Sequence, residues 1–219
     1  MKCILIGAGE YNDDIILKEQ DDLVIAVDGG YDLLGNQKDK VDLLIGDFDS
    51  IYNIPKNVTI IKYPKRKDYT DMDLAIQEGI KRGYKEFYIY GALGKRIEHS
   101  IANISLLLKY INYDIKLIDQ NLICFALTNN IYCFNNCGLV SVFSLSENAD
   151  ITIHNMKYDL DNQIITNSFP LGVDNEAIGK DAYIKVNKGI ILIITRFVNS
   201  NWKNYILKKG VEYLWKKYF

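Results

Sequence analysis

The sequence predicts an α/β protein, with a mainly parallel strand–helix half followed by an all-β sandwich half. Three observations lead there. Short β-branched runs alternate with helical stretches up to about residue 119. From that point strand-length runs follow one another with turn residues between them, leaving no room for a helix of normal length. The runs of the first half also close on Gly or Asp, as strands buried on both faces of a parallel sheet tend to do.

Taken in order, the apolar runs 3–6, 23–27, 41–45, 58–61, 87–90 and 115–118 are the expected strands of the first half. Residues 72–81 and 97–110 carry helical spacing, the second with Ile101, Ile104, Leu107 and Leu108 as one apolar stripe. Strands separated by helices put ligands at the carboxyl ends of the strands. The second half offers strands at 123–127, 131–134, 139–144, 151–153, 163–166, 182–186 and 190–196. Asn129-Asn130, Asn135-Asn136 and Asn187-Lys188-Gly189 serve as turns between them. Three segments result: an α/β domain at 1–119, a β-sandwich domain at 120–198 and a helical extension at 199–219. In the extension Trp202, Tyr205, Ile206, Leu214 and Trp215 share one face.

Composition narrows the function. With 26 Lys and Arg against 28 Asp and Glu, the net charge of −2 lacks the basic excess of a nucleic-acid binder. No apolar stretch approaches the roughly 18 residues that span a bilayer. Cys3-Ile4-Leu5-Ile6-Gly7 is too short for a signal core, so neither a membrane partner nor a secretory leader is expected. Cys3, Cys124 and Cys133 sit inside apolar runs, and Cys133 and Cys137 have no second pair to complete a zinc site. Reduced thiols in a cytoplasmic protein are the expectation.

Four clusters carry chemistry, each after an expected strand. In Val27-Asp28-Gly29-Gly30, Asp28 taken alone reads as the N-cap of a following helix, while the two glycines also let a phosphate approach the backbone. In Gly46-Asp47-Phe48-Asp49-Ser50 two carboxylates at the mouth of a buried strand repel each other unless a cation lies between them, which suits Mg²⁺. In Lys65-Arg66-Lys67-Asp68-Tyr69-Thr70-Asp71-Met72-Asp73, Thr70 caps the helix with Asp73 in its first turn. The cap leaves Asp68, Asp71 and the three cations for another purpose: cations such as Lys67 for phosphates, carboxylates for a metal. Gly91-Ala92-Leu93-Gly94-Lys95-Arg96-Ile97-Glu98-His99 is not a P-loop, because its glycine spacing is short and Arg96 stands where Ser or Thr would ligate magnesium. It remains a glycine-rich strand-to-helix turn whose Lys95 and Arg96 suit phosphate oxygens. His99 reads as an orienting residue at a helix start.

In these motifs the sequence resembles the thiamine pyrophosphokinase family. The ordered matches are Asp28-Gly29-Gly30, Gly46-Asp47-Phe48-Asp49-Ser50, Asp68-x-Thr70-Asp71-x-Asp73-x-Ala75, Gly91-x-x-Gly94-x-Arg96-x-Glu98-His99 and Asn103-Ile104. Phe143-Ser144-Leu145-Ser146 and Met156-Lys157-Tyr158-x-Leu160 extend them, so that the resemblance covers about residues 1–196. The resemblance implies an α/β nucleotide-binding domain joined to a thiamine-binding β-sandwich, acting as a homodimer. It also implies transfer of the β,γ-diphosphate of ATP to the hydroxyl of thiamine, releasing AMP. By motif match Asp47, Asp49 and Asp71 hold or neighbour Mg²⁺ and the reacting groups, with Arg96 on the ATP phosphates. Asp28, Gly29, Gly30, Lys67, Asp68, Thr70, Asp73, Gly94, Lys95 and Glu98 line the nucleotide site. Asp174 and Asn175 occupy the thiamine loop, which reads Val173-Asp174-Asn175-Glu176 where the family has Ser-Asn, and Glu98 stands where the family has Asp.

Two other readings stay open on the residues alone: a Mg²⁺-dependent nucleotide transferase with a different acceptor, and a silent nucleotide- or thiamine-binding protein. Asp49→Asn removes a charge at constant volume. The folded variant is expected to lose on the order of 100-fold or more in turnover, measured as AMP release alongside a circular-dichroism spectrum matching the parent.

Overall fold

The computed structural model describes residues 1–10, 18–48, 55, 57–134, 138–178 and 181–196. Asp49 and Ser50, the turn at Asn135-Asn136 and the expected helix at 199–219 lie outside the described residues. The fold is mixed α/β, and the chain divides into two compact units, Met1–Gln120 and Asn121–Phe219.

In the first unit, six strands form a parallel array: β1 (Cys3–Ile6), β2 (Leu23–Val27), β3 (Leu43–Gly46), β4 (Thr59–Lys62), β5 (Glu86–Tyr90) and β6 (Asp114–Ile118). Their order is β6-β5-β1-β2-β3-β4, every pairing being parallel. β1, β2 and β3 are buried along their whole length, which is why they read as unbroken apolar runs. β4 is largely exposed, as befits an edge. Helix α1 (Asp71–Lys81) lies on β1, β2 and β3, and α2 (Ile97–Lys109) follows β5. Thr70 caps α1 as expected, its hydroxyl accepting from the Asp73 N–H at 3.2 Å.

Two local expectations are corrected. Asp28 is not an N-cap: a 3₁₀ segment spans Asp28–Lys40, Val27 takes the cap position, and no side chain caps it. That segment had no periodic signature, and it absorbs Val41, whose N–H donates to the Lys38 carbonyl, so β3 starts at Leu43. The apolar stripe expected on α2 is also displaced. The helix buries Asn103, Leu106 and Leu107, whereas Ile101 is 59% exposed and Leu108 40%. A polar residue enters the buried face because the Asn103 amide donates to the Ala92 carbonyl at 2.7 Å, which offsets its desolvation.

Among its described residues the second unit forms strands and no helix. β7 (Leu122–Thr128), β8 (Ile131–Phe134), β9 (Gly138–Ser144), β10 (Asn148–His154), β11 (Leu160–Thr166), β12 (Gly172–Ala177), β13 (Ala182–Lys188) and β14 (Ile190–Arg196) form two antiparallel layers. Their orders are β12-β9-β14-β7 and β11-β10-β13-β8. Burial alternates along β9, β10 and β13, so Val140, Val142, Ile151, Ile153, Ile184 and Val186 face the interior. Strand β12 escaped the sequence reading because its centre is polar and bulged. Its register on β9 shifts between Gly172 and Asn175, and Asp174 sits in the left-handed region at φ 55°.

Asn175 is 4% exposed. Its side-chain oxygen accepts from the Tyr158 N–H at 3.0 Å and its amide donates to the Tyr158 carbonyl at 2.8 Å. It thereby pairs a loop as a strand would. Removing it leaves those backbone groups unsatisfied, so Asn175→Ala is expected to destabilise the protein by about 1–3 kcal/mol, measured as a lowered urea midpoint.

Candidate active site

Because the six strands of the first unit are parallel, their carboxyl ends share one edge. The segments after β2, β3, β4 and β5 carry the four clusters. The strand order reverses between β1 and β5, since the chain runs from β1 outward to β4 and then returns to β5 on the other side. A crevice at that switch point is where an open α/β sheet takes its ligand.

Backbone contacts close the floor of this crevice. Gly9 N–H donates to the Gly91 carbonyl at 2.9 Å and Glu10 N–H to the Leu93 carbonyl at 3.3 Å. A Cβ on Gly9 would lie 2.3 Å from the Leu93 oxygen, and one on Gly30 2.2 Å from the Ile6 oxygen. Neither position admits a side chain, so the glycines here serve chain-to-chain packing. Gly7-Ala8-Gly9 was missed in the sequence, although Gly-x-Gly directly after a buried strand was the available signal. Above this floor the Lys95 ammonium donates to the Ala8 carbonyl at 2.8 Å, and Lys95 holds a left-handed backbone at φ 46°. Gly94 and Arg96 are exposed. Arg96 is paired with Glu98, Nε to Oε1 at 2.7 Å, on the solvent side of the loop. The Glu98 carboxyl is held below the ordinary range by its own backbone N–H at the helix start and then by Arg96. Asp119, after β6, is also drawn toward this edge: burial, and then the nearby Glu10 charge, push its carboxyl up against the Gln120 N–H.

The carboxylates occupy the neighbouring stretch. Asp28 adopts φ 46° and its Oδ1 accepts from the Phe48 N–H at 3.2 Å, bracing the turn that bears Asp47. Phe48 is itself left-handed at φ 65° although buried. Gly29 is half-buried beside Asp28. Lys67, with a side chain only 12% exposed, places its ammonium 2.8 Å from Asp71 Oδ1 and 3.8 Å from Asp47 Oδ2. Neither the ammonium nor that Asp71 oxygen has a hydrogen bond of good geometry. The contact is therefore one of charge, close in distance but poorly directed. Asp68 and Thr70 are exposed, Thr70 being occupied by the cap.

Two hard oxygen donors gathered on one buried cation, one of them lacking a directed bond, match the carboxylate pair with which a protein commonly holds Mg²⁺ beside phosphates and water. Among the described residues no group of three or more His, Cys, Asp or Glu side chains gathers to hold a metal; Asp49 lies outside them.

Asp73 faces elsewhere. Buried, it accepts from Lys109 Nζ at 2.7 and 2.9 Å, from the Tyr110 hydroxyl and from Gln77 Nε2 at 3.2 Å, tying α1 to the end of α2. In the second unit, Asp174 is exposed, its N–H donating to Ser141 Oγ at 3.1 Å, while Asn175 is engaged with Tyr158.

Comparison with known proteins adds the following. A family model described as thiamin pyrophosphokinase, catalytic domain, matches residues 16–118. Thiamine pyrophosphokinase of Bacillus subtilis (strain 168) is 32% identical over 168 residues, 68% of this chain and 75% of that protein. A solved structure of thiamine pyrophosphokinase from Bacillus subtilis superposes with a TM-score of 0.81 at 26% identity, covering 91% of this chain and 100% of that one. A thiamin pyrophosphokinase structure from Geobacillus thermodenitrificans gives 0.79 at 25%, covering 91% and 99%.

Burial alone would raise the Asp73 carboxyl, but hydrogen bonds from Lys109, Tyr110 and Gln77 outweigh it and hold it below its ordinary value of 3.8. Its folded-state pKa is thus lower than its unfolded one, so its stabilising effect is present above about 3.9 and is lost as pH falls through the lowered value. Asp73→Asn is expected to lower the urea midpoint at pH 7. It should also make the loss of stability as pH falls below about 4 shallower than in the parent; parallel acid limbs would remove this role.

Proposed function

The chain belongs to the thiamine pyrophosphokinase family, and on that premise we propose how its residues divide the work of the reaction. The activity is the transfer of a diphosphate from ATP to thiamine. The thiamine hydroxyl oxygen bonds to the β-phosphorus, the bond from that phosphorus to the α,β-bridging oxygen breaks, AMP leaves, and the hydroxyl proton goes to solvent or base. The observation that carries the assignment of residues is the meeting of Asp47, Asp71 and Lys67 at the strand-end edge of the parallel array.

The first unit is the nucleotide-binding and catalytic domain in this proposal. Mg²⁺, held by Asp47 and Asp71 with Asp49, would neutralise charge on the diphosphate in transit. Lys95 and Arg96 grip phosphate oxygens from the glycine-rich loop, Arg96 exchanging Glu98 for phosphate. Asp28 keeps the Asp47 turn in place through the Phe48 N–H. Gly29 and Gly94 keep the backbone close to the phosphates, Gly30 lets the segment after β2 pack on the Ile6 carbonyl, and Asp68 and Thr70 stand at the rim. Asp73 acts at a distance, by fixing α1 against Lys109 and Tyr110.

The second unit is a β-sandwich that receives thiamine, with Asp174 facing solvent in the bulge and Asn175 shaping the adjacent loop. We further place the protein in the cytoplasm as a homodimer. Uncovered apolar side chains on α2, Ile97 at 75% and Ile101 at 59% exposed, support an additional contact surface. Among the described residues no helix is long and apolar enough to cross a membrane.

Incubation with ATP, Mg²⁺ and thiamine is expected to give AMP and thiamine diphosphate in equal amounts, both abolished by EDTA, when followed by chromatography. AMP formed without thiamine diphosphate would point to another acceptor. Nucleotide bound without either product would identify a silent binder. Light scattering of the same sample reads the dimer.

A further inference from the structure

Lys67 does something that a phosphate-gripping lysine has no reason to do before its substrate arrives. Its ammonium is turned inward, with a side chain 12% exposed, onto Asp71 at 2.8 Å and Asp47 at 3.8 Å. Lysine is strongly hydrated and pays for such burial only where neighbouring charge replaces water. Here the replacement is incomplete, because neither Lys67 Nζ nor the Asp71 oxygen facing it has a directed hydrogen bond. The groups are held by charge in a geometry that suits neither. Asp47 is fixed in its turn by Asp28 through Phe48, and Asp71 is fixed by the capped start of α1. The carboxylates are therefore the rigid partners, and the lysine, on a flexible stem in the segment before the cap, is the movable one.

We infer that the Lys67 ammonium holds the place of the divalent ion between Asp47 and Asp71, so that ion binding is an exchange in which Lys67 is displaced. This rests on the Mg²⁺ reading above and adds a property to it: without ion, the site carries its own counter-charge. The displaced ammonium remains in the same stretch as exposed Lys65 and Arg66, where it meets the polyphosphate that accompanies the ion. One lysine thus neutralises the carboxylates before loading and the phosphates after it.

Calorimetric titration with Mn²⁺ in the absence of nucleotide tests this directly, using the full chain and its Lys67→Met variant, with Lys67→Gln as a second variant should the first fold poorly. Deleting the internal competitor is expected to tighten Mn²⁺ binding about tenfold, the scale of one partly buried charge pair. Mg²⁺ is likewise expected to raise the thermal midpoint of the variant more than that of the parent. Binding to both proteins with equal affinity, or more weakly to the variant, would overturn the exchange while leaving the ion site standing. Binding to neither would remove the ion reading and this inference with it.

Discussion

Repulsion among carboxylates is the constraint around which the strand-end edge is organised. A parallel array delivers every strand's carboxyl end to the same side, and here β2 and β3 deliver Asp28 and Asp47 while α1 opens with Asp71. The register aligns Val27 with Ile45, so the residues that follow are neighbours. Two like charges 4 Å apart at an effective dielectric of 20 repel by about 4 kcal/mol, a large share of a domain's net stability. The charges are accordingly given counterparts: a backbone N–H for Asp28, and the shared Lys67 ammonium for Asp47 and Asp71. Asp73, the fourth acid, is taken out of the group altogether by Lys109, Tyr110 and Gln77.

That solution requires a rigid frame, and the backbone supplies it. The first unit's described non-glycine residues with left-handed φ are Asp28, Phe48 and Lys95, and they follow β2, β3 and β5 in turn. Left-handed geometry costs a non-glycine residue roughly 1–2 kcal/mol, and a buried Phe has no local hydrogen bond to soften it. Strain therefore sits at the same edge as the charges. It is sustained because Asp28 holds the Phe48 N–H, and because Asn103 and Lys95 fasten the opposite loop through the Ala92 and Ala8 carbonyls.

Where one periodicity dominates, the sequence was a good guide. The buried parallel strands β1 and β2 and the strand β14 appeared at their observed limits, because burial on both faces or the tight turn at Gly189 leaves few alternatives. Strand β12 and the 3₁₀ segment 28–40 were illegible, since a bulge breaks the period of two in one and 3₁₀ geometry gives no apolar stripe in the other. The displaced face of α2 has another cause: Asn103 outcompetes Ile101 for the interior through a hydrogen bond back to the loop that leads into the helix, which no hydropathy pattern records. In the site, the four clusters and the cap at Thr70 were visible as motifs. Gly7-Ala8-Gly9 showed as a Gly-x-Gly after a strand, but its purpose was not legible, because it lies in the Gly91–Leu93 backbone it packs against.

Asp71 and Asp73 show how the same motif separates into two purposes once its helix is known. Both are acids in the first turn, and the sequence already divides them, Asp73 to the cap and Asp71 to the metal. Residues two apart on an α-helix point about 200° away from each other, so they cannot converge on a single ion. Asp71 turns to Lys67 and Asp47, whereas Asp73 turns to the end of α2. The helix thus connects the two: the cap and the buried Asp73 network fix its axis, and that fixed axis aims Asp71 at the strand edge. A buried carboxylate tied to the end of one helix can in this way govern the geometry of another at the strand edge.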